Sequence, residues 1–497
     1  MLITYNETNK PVYSIKYFHP FFSVESKLMD DILHKILNAK EQRQRIRQQS
    51  GEVGNATISI SFNIPGYPKS DERITQTFRV VRDDLAHYLV ALRIPVDKKQ
   101  VIVRCDEAGD IAFFPFQAKQ QELPLFKEKL EAFEQTHPLG RLLDVDLFDG
   151  KANAISSHKQ KTCFICKETP ALHCMRNQTH SYEELRAHLR EKMEKFLEER
   201  AEQQVSKQLA ATALWAILTE VALPHKPGLV SPQSSGSHQD MNFHTFLAST
   251  SAITPHFQRV AIRGYQWNGK EPQAVLTQLR ISGLEMEKDM FLTTQGVNTQ
   301  KGVIFLMTFS LFTMAYTLKK TGTFDETVFK ETLQTLNKGL VNRELKGSSN
   351  QNRSHGEQCF NTFGEELAGG IRKEVEQGLP TFFHEVTPFM KKIGFSSTDY
   401  RDQSHFENQC KRLLVKIMSI NNDTNILFRS DAQTLHLLQE KSLKTLQGNE
   451  DLTKNESYGE LMAFCTTKKI SPGGSADLLA VSLFLDNVRT KTQKNTF

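Results

Sequence analysis

The sequence has little of several features that would assign it to a protein class at once. It has no marked excess of one charge: 62 Lys and Arg residues stand against 57 Asp and Glu residues, which leaves a net charge of +5 over 497 residues. Proteins that bind nucleic acid present a basic surface, so this balance argues against such a partner. Any binding site for an anion must therefore be local.

Signals for export and membrane insertion are also missing. The N-terminus has no basic start followed by an apolar stretch, so we expect no secretory signal. The most apolar run, GVIFLMTFSLFTMAYTL at 302–318, contains Ser and Thr and is short for a membrane span, which favours a buried core helix. The seven cysteines then indicate reduced thiols. These features predict a cytoplasmic protein without a membrane partner.

The length and the distribution of helical and strand-like runs predict two domains, since 497 residues are more than a single hydrophobic core usually organises. The first part mixes helical runs with the strand-like ATISISFNI, KQVIVRCD, DIAFFPF and GRLLDVDLFDG, as an α+β domain does. Helical periodicity dominates after about residue 205, which predicts an all-α domain. We place the domains at residues 1–190 and 200–497, joined by a long charged helix within 181–222.

Five polar loops of the C-terminal part share one pattern, because each directly precedes or follows an apolar helical run. They are PHKPGLVSPQSSGSHQDMN (224–242), TTQGVNTQKG (293–302), SHGEQCFNTFGEELAGGIRKEVEQGLP (354–380), INNDTNILFRS (420–430) and ISPGGSAD (470–477). Gly and Ser before a helix leave backbone N–H groups free for an anion, Lys and Arg suit phosphate, and carboxylates suit Mg²⁺. Any one loop could be only a capped helix. The five together predict a polyphosphate site.

The same loops resemble, in chain order, the triphosphoribosyl-dephospho-CoA synthase family over about residues 205–490. The motifs are TEVALPHKPGLVS, SGSHQDMNFHTFLAS, GVNTQKGVIF, DTNILFR and ISPGGSADLLAVSLFLDNV. The resemblance implies an all-helical enzyme that joins the ribose of ATP to the 2′-hydroxyl of 3′-dephospho-CoA. Adenine is expelled and the triphosphate is kept on the product.

The resemblance also implies roles for residues within the matched motifs. Lys226, Lys301 and Arg429 would bind phosphate. Asp240 and Asp423 would be Mg²⁺ ligands or the base, and His238 the acid or a positioning group. Further substrate contacts would come from Asn298, Asn425, Ser471, Gly473, Gly474 and Asp477.

Three positions depart from the family pattern. Gln239 stands where Arg is usual, Gln300 where His is usual, and Lys373 where Gly is usual. These departures leave an alternative open, in which the chain is a regulatory protein that binds ATP and dephospho-CoA through a silenced synthase half. Release of adenine separates an active synthase from such a protein.

The N-terminal part contains a pair of acidic residues in HPLGRLLDVDLFDG (137–150). On a strand, Asp144 and Asp146 point to the same face, where two carboxylates repel each other unless a cation lies between them. This pattern suits Mg²⁺-dependent nucleotidyl transfer, with Arg141 beside it for phosphate. The alternative is an exposed edge strand with solvated acids.

Two further N-terminal features allow more than one interpretation. KTCFICKETPALHCMRNQTH contains Cys163, Cys166 and Cys174 together with His173 and His180, and a C-x-x-C pair with a later Cys and His is compatible with a zinc knuckle, although the second ligand pair is irregular. The alternative is a turn or a loop that contacts substrate. Arg43, in an Arg-rich helix, and Lys69, after NIPGYP, could form a phosphate-binding face, although such a helix is usually only solvated.

These N-terminal features resemble the apo-citrate lyase phosphoribosyl-dephospho-CoA transferase family over about residues 25–185. The resemblance implies a nucleotidyltransferase that moves the prosthetic group from its triphosphate precursor to a Ser of the citrate lyase acyl carrier protein, with release of pyrophosphate. Asp144 and Asp146 would then hold Mg²⁺, and Arg43, Lys69 and Arg141 the triphosphate. The carrier protein of malonate decarboxylase is the alternative acceptor, but the N-terminal motifs follow the citrate lyase type. The sequence therefore predicts a bifunctional transferase.

Overall fold

The computed structural model describes residues 3–5, 11–13, 21–52, 54–156, 161–167, 169–345, 355–494 and 497. The chain divides into two units, residues 1–200 and residues 201–497. The strands are β1 (Ile3–Tyr5), β2 (Pro11–Tyr13), β3 (Ala56–Phe62), β4 (Ile102–Asp106), β5 (Gly109–Phe116) and β6 (Leu143–Phe148).

The helices are distributed over both units. Those that begin before residue 201 are α1 (Phe21–Glu52), α2 (Glu72–Ala91), α3 (Leu123–Thr136), α4 (Ala171–Arg176) and α5 (Tyr182–Ala222). The others are α6 (Phe243–Ile253), α7 (Pro255–Gln266), α8 (Pro272–Thr293), α9 (Lys301–Thr321), α10 (Glu326–Asn337), α11 (Leu340–Leu345), α12 (His355–Ala368), α13 (Gly370–Glu376), α14 (Thr387–Lys392), α15 (Gln403–Met418), α16 (Thr424–Arg429), α17 (Ala432–Gln447), α18 (Glu456–Lys468) and α19 (Gly473–Gln493).

The N-terminal unit is built on a four-stranded antiparallel sheet with the strand order β4–β5–β3–β6. Because side chains alternate along a strand, Ile58 and Ile60 of β3 point into the core, where both are fully buried. They pack with residues of α2, α3 and the first turns of α5. On the opposite face, Ser59 and Ser61 pair with Asp146 and Asp144 of β6. That polar face therefore carries the two predicted acidic residues.

The regular elements described in the C-terminal unit are all helices, and α9 is its central element. This helix satisfies the length and composition of a membrane span, but 78% of the apolar window is buried inside the unit, as in a core helix of a soluble protein. It packs closely against α7, where a Cβ atom at Gly264 would lie 2.1 Å from the Phe312 carbonyl oxygen. Only glycine permits that approach. The other long buried helix is α19, which crosses the same core.

The observed architecture agrees with the predicted classes, a mixed N-terminal part and a helical C-terminal part. The element boundaries differ in places. Within the polar segment 354–380, helical spacing also predicts one helix at 357–377. Gly364, with φ of 78°, breaks that helix, and α13 begins only at Gly370. The polar composition of 346–356 and of 447–457 predicts two further loops. The second of these segments contains a 3₁₀ turn at Leu452–Lys454 and the start of α18, and most of the first lies outside the described residues.

Candidate functional site

One cavity of the C-terminal unit lies where the polar loops meet. It has a volume of about 230 Å³, and the first residues of α9 and α19 form part of its wall. The free backbone N–H groups of these helix ends favour anionic ligands. Except for Asp423 and Gly474, every residue predicted for this site lines the cavity: Lys226, His238, Asp240, Asn298, Lys301, Asn425, Arg429, Ser471, Gly473 and Asp477.

A second cavity, of about 480 Å³, adjoins the first. Its wall includes Arg372 and Gly474 together with five residues that also line the first cavity, namely Asn298, Lys301, Gly302, Asn425 and Asp477. Residues of the α9 and α19 ends therefore face both cavities. Two adjoining cavities with a shared wall can hold two substrates on either side of the atoms that react.

The loop that follows α5 is fixed to the start of α19 by its own backbone. Ser237 Oγ donates to the Ile470 carbonyl oxygen at 2.8 Å, and the imidazole of His238 contacts Ser471 Oγ through Nε2 at 2.9 Å. Gly228 allows this docking, because it has φ of +67° and a Cβ atom there would lie 2.2 Å from the same carbonyl oxygen. The small residues of this loop thus serve close packing around the cavity.

Lys226 is already paired inside the protein. Its side chain is 2% exposed, and Nζ donates to Glu220 Oε1 at 2.6 Å and to the Glu220 carbonyl oxygen at 2.7 Å. Burial lowers the pKa of Lys226, and the Glu220 carboxylate opposes this shift. An ammonium group has three N–H donors, so one remains for a ligand in the cavity. Any phosphate contact of Lys226 would therefore be shared with Glu220.

His238 has one free ring nitrogen. Its Nδ1 atom is buried without a hydrogen-bond partner and lies 3.8 Å from Asp240 Oδ1, whose side chain is 60% exposed. Burial lowers the pKa of His238, and the positive charge of Arg429 lowers it further. The imidazole is therefore neutral near pH 7, which suits an acceptor or a positioning group better than an acid. Arg429 has no carboxylate partner in the described part of the chain.

Asp423 caps a helix and does not reach the cavity. It is 1% exposed, and its carboxylate accepts N–H bonds from Ser475 at 2.9 Å and from Asn425 at 3.0 Å. Burial raises its pKa, and these N–H donors oppose the rise. Gly474 packs on the carboxylate, since a Cβ atom there would lie 3.2 Å from both Asp423 oxygens. The geometry favours a positioning role for Asp423 over the predicted role as metal ligand or base.

Asp477 is the carboxylate that faces both cavities. Burial raises its pKa well above the usual value, and the nearby carboxylates of Asp423 and Glu220 raise it further. The backbone N–H of Val303, in the first turn of α9, donates to it. Gly302 makes this contact possible, because a Cβ atom there would lie 1.9 Å from Asp477 Oδ2. Asp477 is thus an acid that binds a proton readily, at a helix N-terminus.

The start of α9 is held by polar contacts. Asn298 Oδ1 accepts the Lys301 backbone N–H at 3.3 Å, and Lys301 Nζ forms an ion pair with Glu287 at 2.9 Å. Gln300 is buried, and its side-chain oxygen accepts from Ser249 Oγ at 2.7 Å. Gln300, a departure from the family pattern, therefore has its own supporting contacts. Gln239, a second departure, is exposed, and Lys373, the third, is half-buried on α13.

On the N-terminal unit, Asp144 and Asp146 lie side by side on β6 as predicted from the strand period. Burial raises the pKa of Asp146, and the Asp144 carboxylate raises it further. Asp144 forms an ion pair with Lys161. Arg47 of α1 lies on the same face, with its guanidinium 4.5 Å from the Phe148 ring centroid. This face therefore combines two close carboxylates with cationic neighbours.

The predicted triphosphate-binding cations of this unit are placed differently from one another. Arg43 is engaged in the fold, since its guanidinium donates to Asp106 Oδ1 and to the Gly109 carbonyl oxygen, both at 2.6 Å. Lys69 and Arg141 line a separate cavity of about 740 Å³. Arg141 stacks 4.5 Å from the Phe164 ring centroid, and its buried Nη1 atom has no hydrogen-bond partner. Lys69 Nζ donates to the Ile64 carbonyl oxygen at 2.6 Å.

The three predicted cysteines converge near the same cavity. Cys163, Cys166 and Cys174 lie together with His180, and the four ligand atoms are all within 4.8 Å of one another. Of the two histidines in the motif, His180 belongs to this group, whereas the His173 side chain contacts Asn177.

Several further residues of the two sites were given no individual role from the sequence. Glu220 and Gly302 lie within the motifs TEVALPHKPGLVS and GVNTQKGVIF, and Arg47 lies in the Arg-rich helix. Lys161 looks like a solvated charge in the sequence. Their roles depend on contacts between distant segments, which spacing alone does not reveal.

Comparison with known proteins gives matches for both parts of the chain. Residues 206–496 match the family model described as ATP:dephospho-CoA triphosphoribosyl transferase (CitG). Residues 32–196 match that of apo-citrate lyase phosphoribosyl-dephospho-CoA transferase (CitX).

Individual relatives cover nearly the whole chain. Protein CitXG of Haemophilus influenzae is 27% identical over 96% of this chain and 100% of its own length. Protein CitXG of Leuconostoc mesenteroides subsp. cremoris is 28% identical over 91% of this chain and 96% of its own length. The 2-(5''-triphosphoribosyl)-3'-dephosphocoenzyme-A synthase of Haemophilus ducreyi is 28% identical over 64% of this chain and 98% of its own length.

Proposed function

The chain belongs to the ATP:dephospho-CoA triphosphoribosyl transferase family, and from this membership we propose two successive transferase activities in one bifunctional enzyme. The C-terminal unit joins ATP to 3′-dephospho-CoA and releases adenine. The N-terminal unit transfers the resulting group to a Ser of the apo citrate lyase acyl carrier protein and releases pyrophosphate. The shared chain raises the local concentration of the intermediate for the second step. Its substrates and its seven free thiols suit the cytoplasm.

The observation that carries the first activity is the pair of adjoining cavities with Asp477 in their common wall. The reaction needs two substrates to meet at one carbon, the anomeric carbon of the ATP ribose. The polar residues of the smaller cavity suit the triphosphate. The second cavity would take dephospho-CoA, so that its 2′-hydroxyl meets the ribose beside the α9 and α19 ends.

Asp477 is our candidate for the proton-transferring carboxyl group. When the 2′-hydroxyl oxygen bonds to the anomeric carbon and the bond to adenine breaks, one proton leaves the hydroxyl and one proton joins the base. A carboxyl group with a raised pKa can exchange protons near neutral pH. Negative charge at this position would also stabilise the oxocarbenium-like transition state.

A divalent cation for the triphosphate would lie apart from the Asp477 carboxyl group, because a directly bound cation would lower the raised pKa that proton exchange requires. We propose that the side-chain oxygens of Asn298 and Asn425, which line both cavities, would hold Mg²⁺. The ion would neutralise the triphosphate, which Lys301 and Arg429 also contact. Asp240, being exposed, would contact the ion or the substrate only from the rim.

For the second activity, we propose a nucleotidyltransferase-like site on the polar face of the sheet. Asp144 and Asp146 would hold Mg²⁺, since their adjacency raises the pKa of Asp146 as cation-binding pairs require. Arg141 has a free buried donor for phosphate, and Lys69 lines the same cavity. Arg43 positions the β4–β5 turn through Asp106 in this account and does not bind the triphosphate.

The experiment that tests the proposal uses the whole chain in two stages. It is incubated with ATP, Mg²⁺ and 3′-dephospho-CoA, and the products are analysed by mass spectrometry. We expect free adenine and the triphosphoribosyl adduct, and, once the apo carrier protein is added, a modified carrier and pyrophosphate. ATP binding without adenine release would instead support the regulatory alternative.

A further inference from the structure

The cluster of Cys163, Cys166, Cys174 and His180 lies outside the residues to which we assign chemistry, and its four ligand atoms are within 4.8 Å of one another. Cys163 and Cys174 are buried, whereas Cys166 and His180 are half-buried. We propose that the N-terminal unit binds one structural zinc ion through the three thiolates and His180 Nε2. This inference does not depend on the proposed transferase activities.

The sulfur positions suit a tetrahedral ion. Cys166 Sγ lies 3.8 Å from Cys174 Sγ. A zinc–sulfur bond of about 2.3 Å gives a tetrahedral edge of about 3.8 Å. The same distance is far from the disulfide bond length of about 2.05 Å. Two sulfurs thus stand as far apart as ligands of one zinc ion.

The imidazole needs only a small movement. His180 Nε2 lies 2.9 Å from Cys166 Sγ, which is a hydrogen-bond distance. In a zinc site the nitrogen–sulfur edge is about 3.6 Å, from bond lengths of about 2.0 and 2.3 Å. An opening of less than about 1 Å would therefore admit the ion. The nitrogen that faces the thiol is already the one that would bind.

Backbone hydrogen bonds fix the loop that carries Cys163. The turn is closed by the Cys163 N–H, which donates to the Thr169 carbonyl oxygen at 2.7 Å, and by the Ala171 N–H, which donates to the Lys161 carbonyl oxygen at 2.8 Å. The CFIC turn thus has the hydrogen bonds of a preformed ligand loop.

Four protein ligands leave no open position, so the ion would be structural and not catalytic. Its effect would reach Arg141 through the loop. The Thr162 carbonyl oxygen accepts from Arg141 Nε, and the Phe164 ring packs 4.5 Å from the guanidinium. Both residues flank Cys163. Zinc would therefore fix the wall that orients Arg141 in its cavity.

Metal content of the purified whole chain tests the proposal. We expect about one zinc per chain by mass spectrometry of the elements, and tetrahedral thiolate absorption when Co²⁺ is added to the chelator-treated, reduced chain. Cys166→Ser should lower the zinc affinity at least about tenfold. His173→Asn is the matched control, since His173 lies on α4 next to Cys174, its side chain contacts Asn177, and its loss should not affect the metal.

A ligand exchange keeps the test decisive if Cys166→Ser fails to fold. His180→Cys supplies a fourth thiolate and should retain zinc, whereas His180→Ala should lower the zinc affinity at least about tenfold. A reduced, folded wild-type chain that takes up neither zinc nor Co²⁺ would overturn the proposal. So would a His173→Asn chain that loses as much zinc as His180→Ala.

Discussion

Asp477→Asn should stabilise the ligand-free C-terminal unit while it removes adenine release. The wild-type carboxylate lies near Asp423 and Glu220, and its pKa is raised well above the usual value by burial and by those charges. Asparagine has nearly the same shape, so it fits beside Gly302 and can still accept the Val303 N–H. The variant thus loses the charge and keeps the packing.

The magnitude follows from the linkage between pKa and stability. Each unit by which burial raises the pKa costs about 1.4 kcal/mol when the group is ionised. We therefore expect Asp477→Asn to raise the free energy of unfolding by at least about 1 kcal/mol at pH 7, or Tm by about 2 °C or more. A group with a raised pKa stabilises the fold below its usual pKa, and this contribution is lost as pH rises through the raised value. The difference in the free energy of unfolding between Asp477→Asn and the wild type should therefore shrink as pH falls.

The assay pairs thermal unfolding with adenine release, and the same substitution on the same helix provides the control. Asp486 has a positive partner, Arg489 Nη2 at 2.5 Å, and accepts the Ser397 N–H at 3.2 Å. Asp486→Asn should lower the free energy of unfolding by about 1–3 kcal/mol, a change opposite in sign to that of Asp477→Asn. For Asp477→Asn we expect adenine release to fall at least about 100-fold. A variant that is less stable than wild type across the pH range, or that releases adenine normally, would refute the reasoning.

Four further predictions concern neighbouring residues. Gly302→Ala should abolish adenine release, because its Cβ atom would lie 1.9 Å from Asp477 Oδ2. Gly283→Ala is the control, because a Cβ atom there would have no heavy atom within 4 Å; the free energy of unfolding in urea should stay unchanged or rise by up to about 1 kcal/mol. Lys226→Ala should lower the free energy of unfolding by about 3–5 kcal/mol, because it leaves the Glu220 carboxylate buried and unpaired. The double variant Lys226→Ala with Glu220→Gln should recover part of this stability. An equal loss of stability in the double variant would contradict the pairing. Arg429→Met should raise the pKa of His238, measured by NMR titration, since the positive charge now lowers it; an unchanged pKa would disprove that influence. Asp146→Asn should lower carrier modification at least about 100-fold without change in adenine release, and a loss of both steps would contradict two separate sites.

Much of the fold could be predicted because local patterns and tertiary packing agree. The alternation of Ile58 and Ile60 predicts β3, and both side chains are fully buried. The apolar run at 302–318 predicts the core helix α9. The helices that were not predicted include α7 (PHFQRVAIRGYQ) and α18 (ESYGELMAFCTTK), although the buried residues of α7 follow regular helical spacing. The single helix expected at 357–377 is broken because Gly364 adopts a positive φ, which the helical period does not reveal.

The candidate site could be predicted at the level of loops but not of contacts. Four of the five polar loops line one cavity with most of the predicted residues, and the loop at 354–380 lines the adjoining cavity. What the sequence could not reveal is which charges are already paired, as with Lys226 and Glu220 or Arg43 and Asp106. It also could not separate Asp423, whose oxygens bind backbone N–H groups, from Asp477, which faces the cavities. These distinctions arise from packing between segments that are far apart in the chain.

The most direct test of the central claim, that the two units perform two separable steps, is a mixing experiment. The Asp477→Asn and Asp146→Asn chains are incubated singly and together with ATP, Mg²⁺, 3′-dephospho-CoA and the apo carrier protein, and the mass of the carrier is measured. We predict that neither variant alone modifies the carrier appreciably, and that the mixture does so because the adduct made by one chain is used by the other. A mixture of folded variants that leaves the carrier unmodified, while the Asp146→Asn chain releases adduct, would contradict the account.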